Sequence, residues 1–503
     1  MKTTLAKSGL TIHSQSWLTG LMVSRSVSAR TVAAQLTTAR LPTQPGHPAY
    51  QVVAEGLRRL VADGRILDGT RLPSERELTT ALGVSRTTVT GAYAVLRDRG
   101  YLVSRRGSGS VVRLPGGPSA GGPLTPGDAH GVVTDLSIAA PSAPPGVAEA
   151  FEEAMTELPH HLAGTGYSPF GLPELRELLA QRYCERGLPT TASQVIVTTG
   201  ALAALSMVLR ASVGPGDRVL MESPTYPNAL ASVRDAGARI VGLPLDVGGL
   251  DAHSFEVALR QGSATLAYLV PDFQNPTGTL VDEATRADVG AALHRQRAIA
   301  VVDESPAELA IDVAEADLPR PLAVFTARAV TIGSASKTFW GGLRVGWLRA
   351  PERDLPRLEQ ARLSLDLGVP VLEQLVLKRL LAQREPLLAH RRATLRTARD
   401  TLVGALGRRL PDWRFTVPPG GHSIWCELPS PRSTALCDAA APLGVRLAPG
   451  SSFGVEGGFD SFVRIPFALP PDVLTDAVDR IAEAWQQTAE GPVARRETSA
   501  LIA

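Results

Sequence analysis

Of the 51 basic side chains in this 503-residue chain, only Lys2, Lys7, Lys337 and Lys378 are lysines. Where arginine serves for almost every plain positive charge, a lysine in the body of the chain invites a chemical reason. Its amine can shed a proton and attack a carbonyl, which a guanidinium does not do. Lys337 closes the run Gly333-Ser334-Ala335-Ser336-Lys337 after an apolar segment, whereas Lys378 lies in an ordinary helical pattern and reads as a surface residue. Other groups suited to holding an organic ligand are dispersed around it. Gly200-Ala201 opens a helix, whose free N–H groups and dipole suit a phosphate. Tyr226 presents a ring after a strand, Asn275 places an amide in the turn of Asn275-Pro276-Thr277-Gly278, and Asp303 ends an apolar run. Arg344 follows Lys337 closely, and Arg464 stands late in the chain within Phe462-Val463-Arg464-Ile465-Pro466. Each is weak alone: such a turn is usually only a turn, and a strand-end aspartate is often a cap.

The elements that must position these groups follow from short apolar runs alternating with helical stretches. Strands are expected at Val195–Thr198, Arg218–Glu222, Arg239–Leu243, Thr265–Val270, Ile299–Asp303, Val330–Gly333 and Val345–Arg349. That alternation predicts an α/β body with a mostly parallel sheet over residues 134–486. A Pro/Gly-rich linker is expected over 114–133, a mobile tail over 1–45 with Met22 as a possible translation start, and a second tail over 487–503. Residues 1–45 lack acidic side chains, as transit peptides do, but the module that follows argues against an organelle address. Cys184, Cys426 and Cys437 are scattered and odd in number, so neither a disulfide framework nor a metal site is encoded. No apolar stretch approaches the ~18 residues of a membrane span. These features place the chain in the cytoplasm, away from membranes.

Charge is divided unevenly. Residues 1–113 hold 16 Lys+Arg against 6 Asp+Glu, and the remainder holds 35 against 43. A basic module on an acidic body suggests a polyanion partner for the first part, although a merely solvated basic surface has the same composition. Over 46–113 the pattern is specific. Tyr50, Val53, Leu57, Leu60 and Val61 share a helical face; Ser74 and Glu77 form a capping box; Ser85 caps a helix over Arg86–Asp98 that buries Val89, Tyr93 and Leu96. Tyr101–Val112 reads as two short strands around Arg105-Arg106-Gly107-Ser108-Gly109. Two helices with a tight Gly-containing turn and a β-wing give an α+β winged helix-turn-helix.

The run LPSERELTTALGVSRTTV resembles the winged helix of GntR-type regulators. The resemblance implies that Arg86, Thr87 and Thr88 open a recognition helix in the major groove of double-stranded DNA. Arg76 would contact bases or phosphates, and Arg106 would extend the wing to the backbone or minor groove. The dispersed groups of the body, in their order, resemble fold-type I pyridoxal-phosphate enzymes of the aspartate aminotransferase group. That resemblance implies pyridoxal 5'-phosphate as cofactor, held by Lys337 as an internal aldimine. Asp303 would sit on the ring nitrogen, Asn275 on the ring oxygen and Tyr226 on the ring face. Gly200, Ala201, Ser334 and Arg344 would grip the phosphate, and Tyr167 would reach the phosphate of a partner subunit. Arg464 would clasp the carboxylate of an amino-acid ligand. One position departs: Ser305 stands where such regulators carry a tyrosine on the ring oxygen, which leaves transaminase competence open.

Together the halves resemble the MocR/GabR regulators. That implies a head-to-tail, swapped homodimer that senses an amino-acid or amine effector through external aldimine formation. The alternative is an active aminotransferase with an accessory DNA-binding head.

Overall fold

A computed structural model describes residues 26–38, 48–62, 66, 70–105, 109–113, 134–245 and 248–490. The linker expected at 114–133, Arg106, Met22 and residues 491–503 lie outside them. The chain divides into two compact units, the first comprising Met1–Leu60 and Ile66–Arg113 and the second essentially Leu114–Ala503.

In the first unit, α2 (Ala49–Ala62), α3 (Glu75–Leu82) and α4 (Arg86–Asp98) precede the antiparallel pair β1 (Leu102–Arg105) and β2 (Gly109–Val112). The capping box forms: Ser74 N–H donates to Glu77 Oε2 at 2.8 Å, and Glu77 N–H donates to Ser74 Oγ at 3.3 Å. Gly83, at φ +66°, makes the left-handed turn that ends α3. Tyr93 donates to Pro73 O at 2.8 Å and Thr90 to Glu75 Oε2 at 2.7 Å, fixing α4 against the start of α3.

One expectation is corrected here. The tail was read as mobile to residue 45, yet α1 (Ala29–Thr38) packs on α3 and buries Val32 and Leu36. Ahead of it Val27 N–H donates to Arg71 O at 3.1 Å, and Ser28 Oγ caps the helix through Thr31 N–H at 3.1 Å. Two buried side chains at one i,i+4 spacing are too short a pattern to be seen as periodicity.

The second unit is built on a seven-stranded sheet. In chain order its strands are β3 (Val195–Thr198), β4 (Arg218–Ser223), β5 (Arg239–Pro244), β6 (Leu266–Leu269), β7 (Ile299–Asp303), β8 (Ala329–Ser334) and β9 (Gly346–Arg349). Their spatial order is β3-β9-β8-β7-β6-β4-β5, and only β9 runs antiparallel to its neighbours. Alternate residues serve two separate cores. Val195, Val197, Ala267, Leu269, Ala300 and Val302 face one, while Ile196, Leu266, Tyr268, Val301 and Ile332 face the other. With both faces covered, the strands are predominantly apolar, as a parallel sheet requires, with polar residues mostly towards their ends. A third core surrounds a smaller sheet of β10 (Ser423–Glu427), β11 (Ala448–Pro449) and β12 (Phe462–Pro466). The last helix runs to Glu490, past the boundary expected at 486.

If α1 belongs to the folded head, Val32→Ala should destabilise that unit by about 1–3 kcal/mol. Hydrogen exchange in peptides covering α1 and α3 should then speed up while the body stays unchanged. Equal exchange in variant and parent would contradict the docking.

Candidate cofactor and effector site

Because β3, β4, β6, β7 and β8 are mutually parallel, their C-terminal ends share one edge of the sheet. In such sheets ligands bind at that edge. The chain just beyond those ends supplies Gly200 and Ala201, Tyr226, Asn275, Asp303 and Ser334 with Lys337. Arg344 arrives there just before the antiparallel β9. All of them line one cavity except Gly200, which abuts it as the N-cap of the Ala201–Ser212 helix.

Lys337 is half-buried, and its Nζ donates to Ala139 O at 2.9 Å. Burial lowers the pKa of its amine to about 8, helped by the positive charges of Arg464 and Arg344 and opposed by Asp303. Asp303 Oδ2 accepts from Tyr268 OH at 2.7 Å and Oδ1 from Ser305 N–H at 2.9 Å. Behind them the buried Glu222 accepts from Val270 N–H at 3.1 Å and Gln274 Nε2 at 3.0 Å. Burial pushes its carboxyl up to about 7.

Two features fit the phosphate end of pyridoxal phosphate. No side chain caps the Ala201–Ser212 helix, so its first N–H groups face an anion site. Gly200 sits at φ +89°, ψ 169°, a glycine-only region, and a Cβ there would come within 2.9 Å of Arg344 Nη2. Arg344 itself is held at φ +50°, a conformation a side chain adopts at a cost. The residues present therefore fit the cofactor: an anion cradle, a reactive amine and a strand-end carboxylate share one cavity.

Arg464, on β12, is fully buried, and among the described residues no acid lies within ion-pair distance of it. Its guanidinium donates to Ser137 O and, at 3.4 Å, to Asn275 Oδ1, and it lies 5.1 Å from the Phe453 ring centre. Burial lowers its pKa to about 10. A buried cation without a counter-ion is costly, so the site favours an anionic ligand group. Tyr226 OH accepts from Asn228 Nδ2 at 2.9 Å. Tyr167 is 68 % exposed and does not line this cavity.

Three residues escaped the sequence analysis. Tyr268 and Glu222 lie within apolar strands and carry no spacing signal. His422 follows Gly420-Gly421 just before β10 and lines the cavity; that glycine pair was the available hint. Ser305 Oγ, at the position where the resemblance leads one to expect a tyrosine, is buried without a hydrogen-bond partner among the described residues.

In the first unit Arg76, Arg86 and Thr87 are exposed. Ser85 Oγ lies 2.8 Å from the hydroxyls of both Thr87 and Thr88, so these are already engaged. Arg86 makes no ion pair among the described residues.

Comparison with known proteins agrees with this geometry. Residues 133–481 match the family described as aminotransferase class I and II, and residues 49–112 match the gntR family of bacterial regulatory proteins. The chain is 30% identical over 446 residues to the HTH-type transcriptional regulator YdcR of Escherichia coli, covering 82% of this chain and 94% of that protein. It is 26% identical over 482 residues to the HTH-type transcriptional regulator TauR of Rhodobacter capsulatus, covering 87% and 96%. The crystal structure of LysN, the alpha-aminoadipate aminotransferase of Thermus thermophilus, complexed with N-(5'-phosphopyridoxyl)-L-leucine, superposes with a TM-score of 0.65 at 29% identity, covering 71% of this chain and 93% of that one.

The lowered Lys337 pKa sets a test without cofactor. In the apo-protein, modification of Lys337 by an amine-directed reagent should rise with pH to a midpoint near 8, because the reactive neutral amine dominates only above its pKa. Arg464→Ala removes a positive neighbour and should move that midpoint upward. A wild-type midpoint at the ordinary lysine value, mapped by peptide mass spectrometry, would contradict this electrostatic picture.

Proposed function

Since the chain belongs to the aminotransferase class I and II family and carries a gntR-family winged helix ahead of that domain, the MocR/GabR arrangement, we propose that it is a transcription regulator that reads an amino acid or amine at the Lys337 cavity and answers through DNA. The observation that carries this reading is the pairing, in one chain, of a half-buried reactive amine with a capped helix-turn-helix whose Arg86 is exposed and makes no ion pair among the described residues. Pyridoxal phosphate, when bound, supplies an aldehyde that condenses reversibly with primary amines. Lys337 would provide the resident amine for that aldehyde, with which an effector amine would compete. Asp303, fixed by Tyr268 and the Ser305 N–H, holds the ring nitrogen protonated. Asn275 takes the ring oxygen, Tyr226 stacks on the ring, and Gly200, Ala201, Ser334 and Arg344 hold the phosphate. Arg464 receives the effector's carboxylate. Exposed Tyr167 reaches the phosphate of a partner subunit, which makes the protein a homodimer of the head-to-tail, swapped kind.

On DNA, Arg86, Thr87 and Thr88 enter the major groove, with Arg76 and Arg106 on flanking contacts. An arginine can bond guanine O6 and N7 together, so Arg86 supplies specificity while phosphate contacts set register. The work is cytoplasmic, where bacterial DNA lies; among the described residues no helix is long and apolar enough to cross a membrane. A second reading, an aminotransferase with an accessory head, draws on the 30% identity over 327 residues to the 2-aminoadipate transaminase of Thermus thermophilus. Complete turnover of an amino-acid and keto-acid pair without sequence-specific DNA binding would select it.

The deciding experiment is binding to the gene's own upstream region, with scrambled DNA as control. Wild type should prefer the upstream DNA, and Arg86→Ala should lose about 1–3 kcal/mol of that preference while keeping its cofactor absorbance. Absence of any sequence preference at moderate salt, with pyridoxal phosphate and candidate amino acids present, would overturn the regulator reading.

A further inference from the structure

His422 is only 4% exposed, and neither of its ring nitrogens has a hydrogen-bond partner among the described residues. Such an orphaned pair is costly, by the ordinary penalty for burying polar atoms unpaired. The backbone that carries it is nevertheless held firmly. Its carbonyl accepts from Phe467 N–H at 2.9 Å, and Gly421 N–H donates to Leu309 O at 2.9 Å. Gly421 turns at φ +81°, and a Cβ on Gly420 would strike Phe273 at 2.4 Å, so the backbone comes closer than other residues would allow. The loop therefore fixes an imidazole at the wall of the Lys337 cavity. Burial and then the positive charges of Lys337 and Arg464 hold its pKa well below the usual value, so it stays neutral and offers one N–H and one lone pair.

The molecule that would satisfy it follows by elimination, and the argument rests on the proposal that pyridoxal phosphate binds at Lys337. The phosphate has its own cradle at Gly200 and Arg344, and the ring nitrogen has Asp303. The remaining polar atom of the ring is its oxygen, which neighbours the carbon that Lys337 bonds and has room for a second hydrogen bond beside that of Asn275. Among the charged groups acting on His422, Lys337 acts most strongly. We propose that His422 is a second contact residue for the cofactor's ring oxygen beside Asn275, donating its N–H where Ser305, which lines the same cavity with its Oγ also unpartnered among the described residues, is too short to reach.

The consequence is electrostatic. A neutral donor draws electron density from the ring oxygen, weakens that oxygen's hold on the proton of the Lys337 nitrogen, and lowers the pH at which the proton leaves. The other groups facing that nitrogen are Asp303, which retains the proton, and Arg344 and Arg464, which oppose it. The Tyr226 hydroxyl also faces the cavity.

The test is the pH titration of the visible band of the loaded protein, with pyridoxal phosphate affinity measured alongside by fluorescence. His422→Leu removes the donor at similar bulk and should raise the midpoint by about one pH unit. His422→Gln restores an N–H donor and should bring the midpoint back towards wild type, a rescue that a merely structural role would not give. Thermal melting and near-UV dichroism check that both variants fold. Equal midpoints and equal cofactor affinity in wild type and folded His422→Leu overturn the inference, as does a midpoint that moves equally in both variants. Failure of wild type to form a borohydride-fixable band at Lys337 would instead strike the cofactor reading itself.

Discussion

The body of this protein depends on gathering positive charge at one cavity with little to neutralise it. Lys337 and Arg344 line one cavity and the buried Arg464 acts on the same amine, while Asp303 is the one carboxylate among the described residues that line it. The sheet makes the arrangement possible. Asp303 pairs with Ile332 in the parallel register of β7 and β8, so the carboxylate and the turn bearing Lys337 leave the sheet side by side. A slip of one residue in that register would turn every side chain to the opposite core. The two-core alternation along these strands therefore guards the site as well as the fold. An excess of positive charge, with no side chain capping the helix that starts at Ala201, suits a ligand carrying both a phosphate and a carboxylate.

Much of this was legible in the residues because the ligand-holding groups sit at ends of strands, where sequence patterns are strong. Asp303 closes an apolar run, Asn275 sits in a turn of recognisable composition, and Lys337 stands out against a background of arginine. The helix-turn-helix was legible for a similar reason: capping boxes and Gly turns are local devices, and Ser74, Glu77, Gly83 and Ser85 act as expected. What remained hidden acts across long sequence separations. Tyr268 reaches Asp303 from a neighbouring strand. Nothing in its own segment separates it from a core tyrosine. His422 comes from the smaller layer and matters only through what it faces. The helix Ala29–Thr38 was missed because its folding depends on α3 rather than on its own sequence.

The departure at Ser305 has a structural counterpart. Its backbone N–H supports Asp303, while among the described residues its hydroxyl has no partner, as neither ring nitrogen of His422 in the same cavity does. On the proposed reading, the groups for phosphate, ring nitrogen and carboxylate are present and the departure falls near the reactive amine. Such a change tunes how readily Lys337 yields its place to another amine, which is the property a sensor needs set. An enzyme must also complete proton transfers after that exchange; a sensor need only register it.

The central claim is that occupancy of the Lys337 cavity and DNA binding are linked. Linkage is reciprocal: whatever factor an effector applies to DNA affinity, DNA must apply to effector affinity. The direct measurement is therefore spectroscopic. A panel of L-amino acids and simple primary amines is titrated against the visible band of the loaded protein, with and without saturating upstream DNA. The account predicts that at least one amine changes the band at a midpoint displaced about fivefold or more by that DNA and unmoved by scrambled DNA. Identical midpoints for every amine, with the DNA shown to be specifically bound, would contradict it.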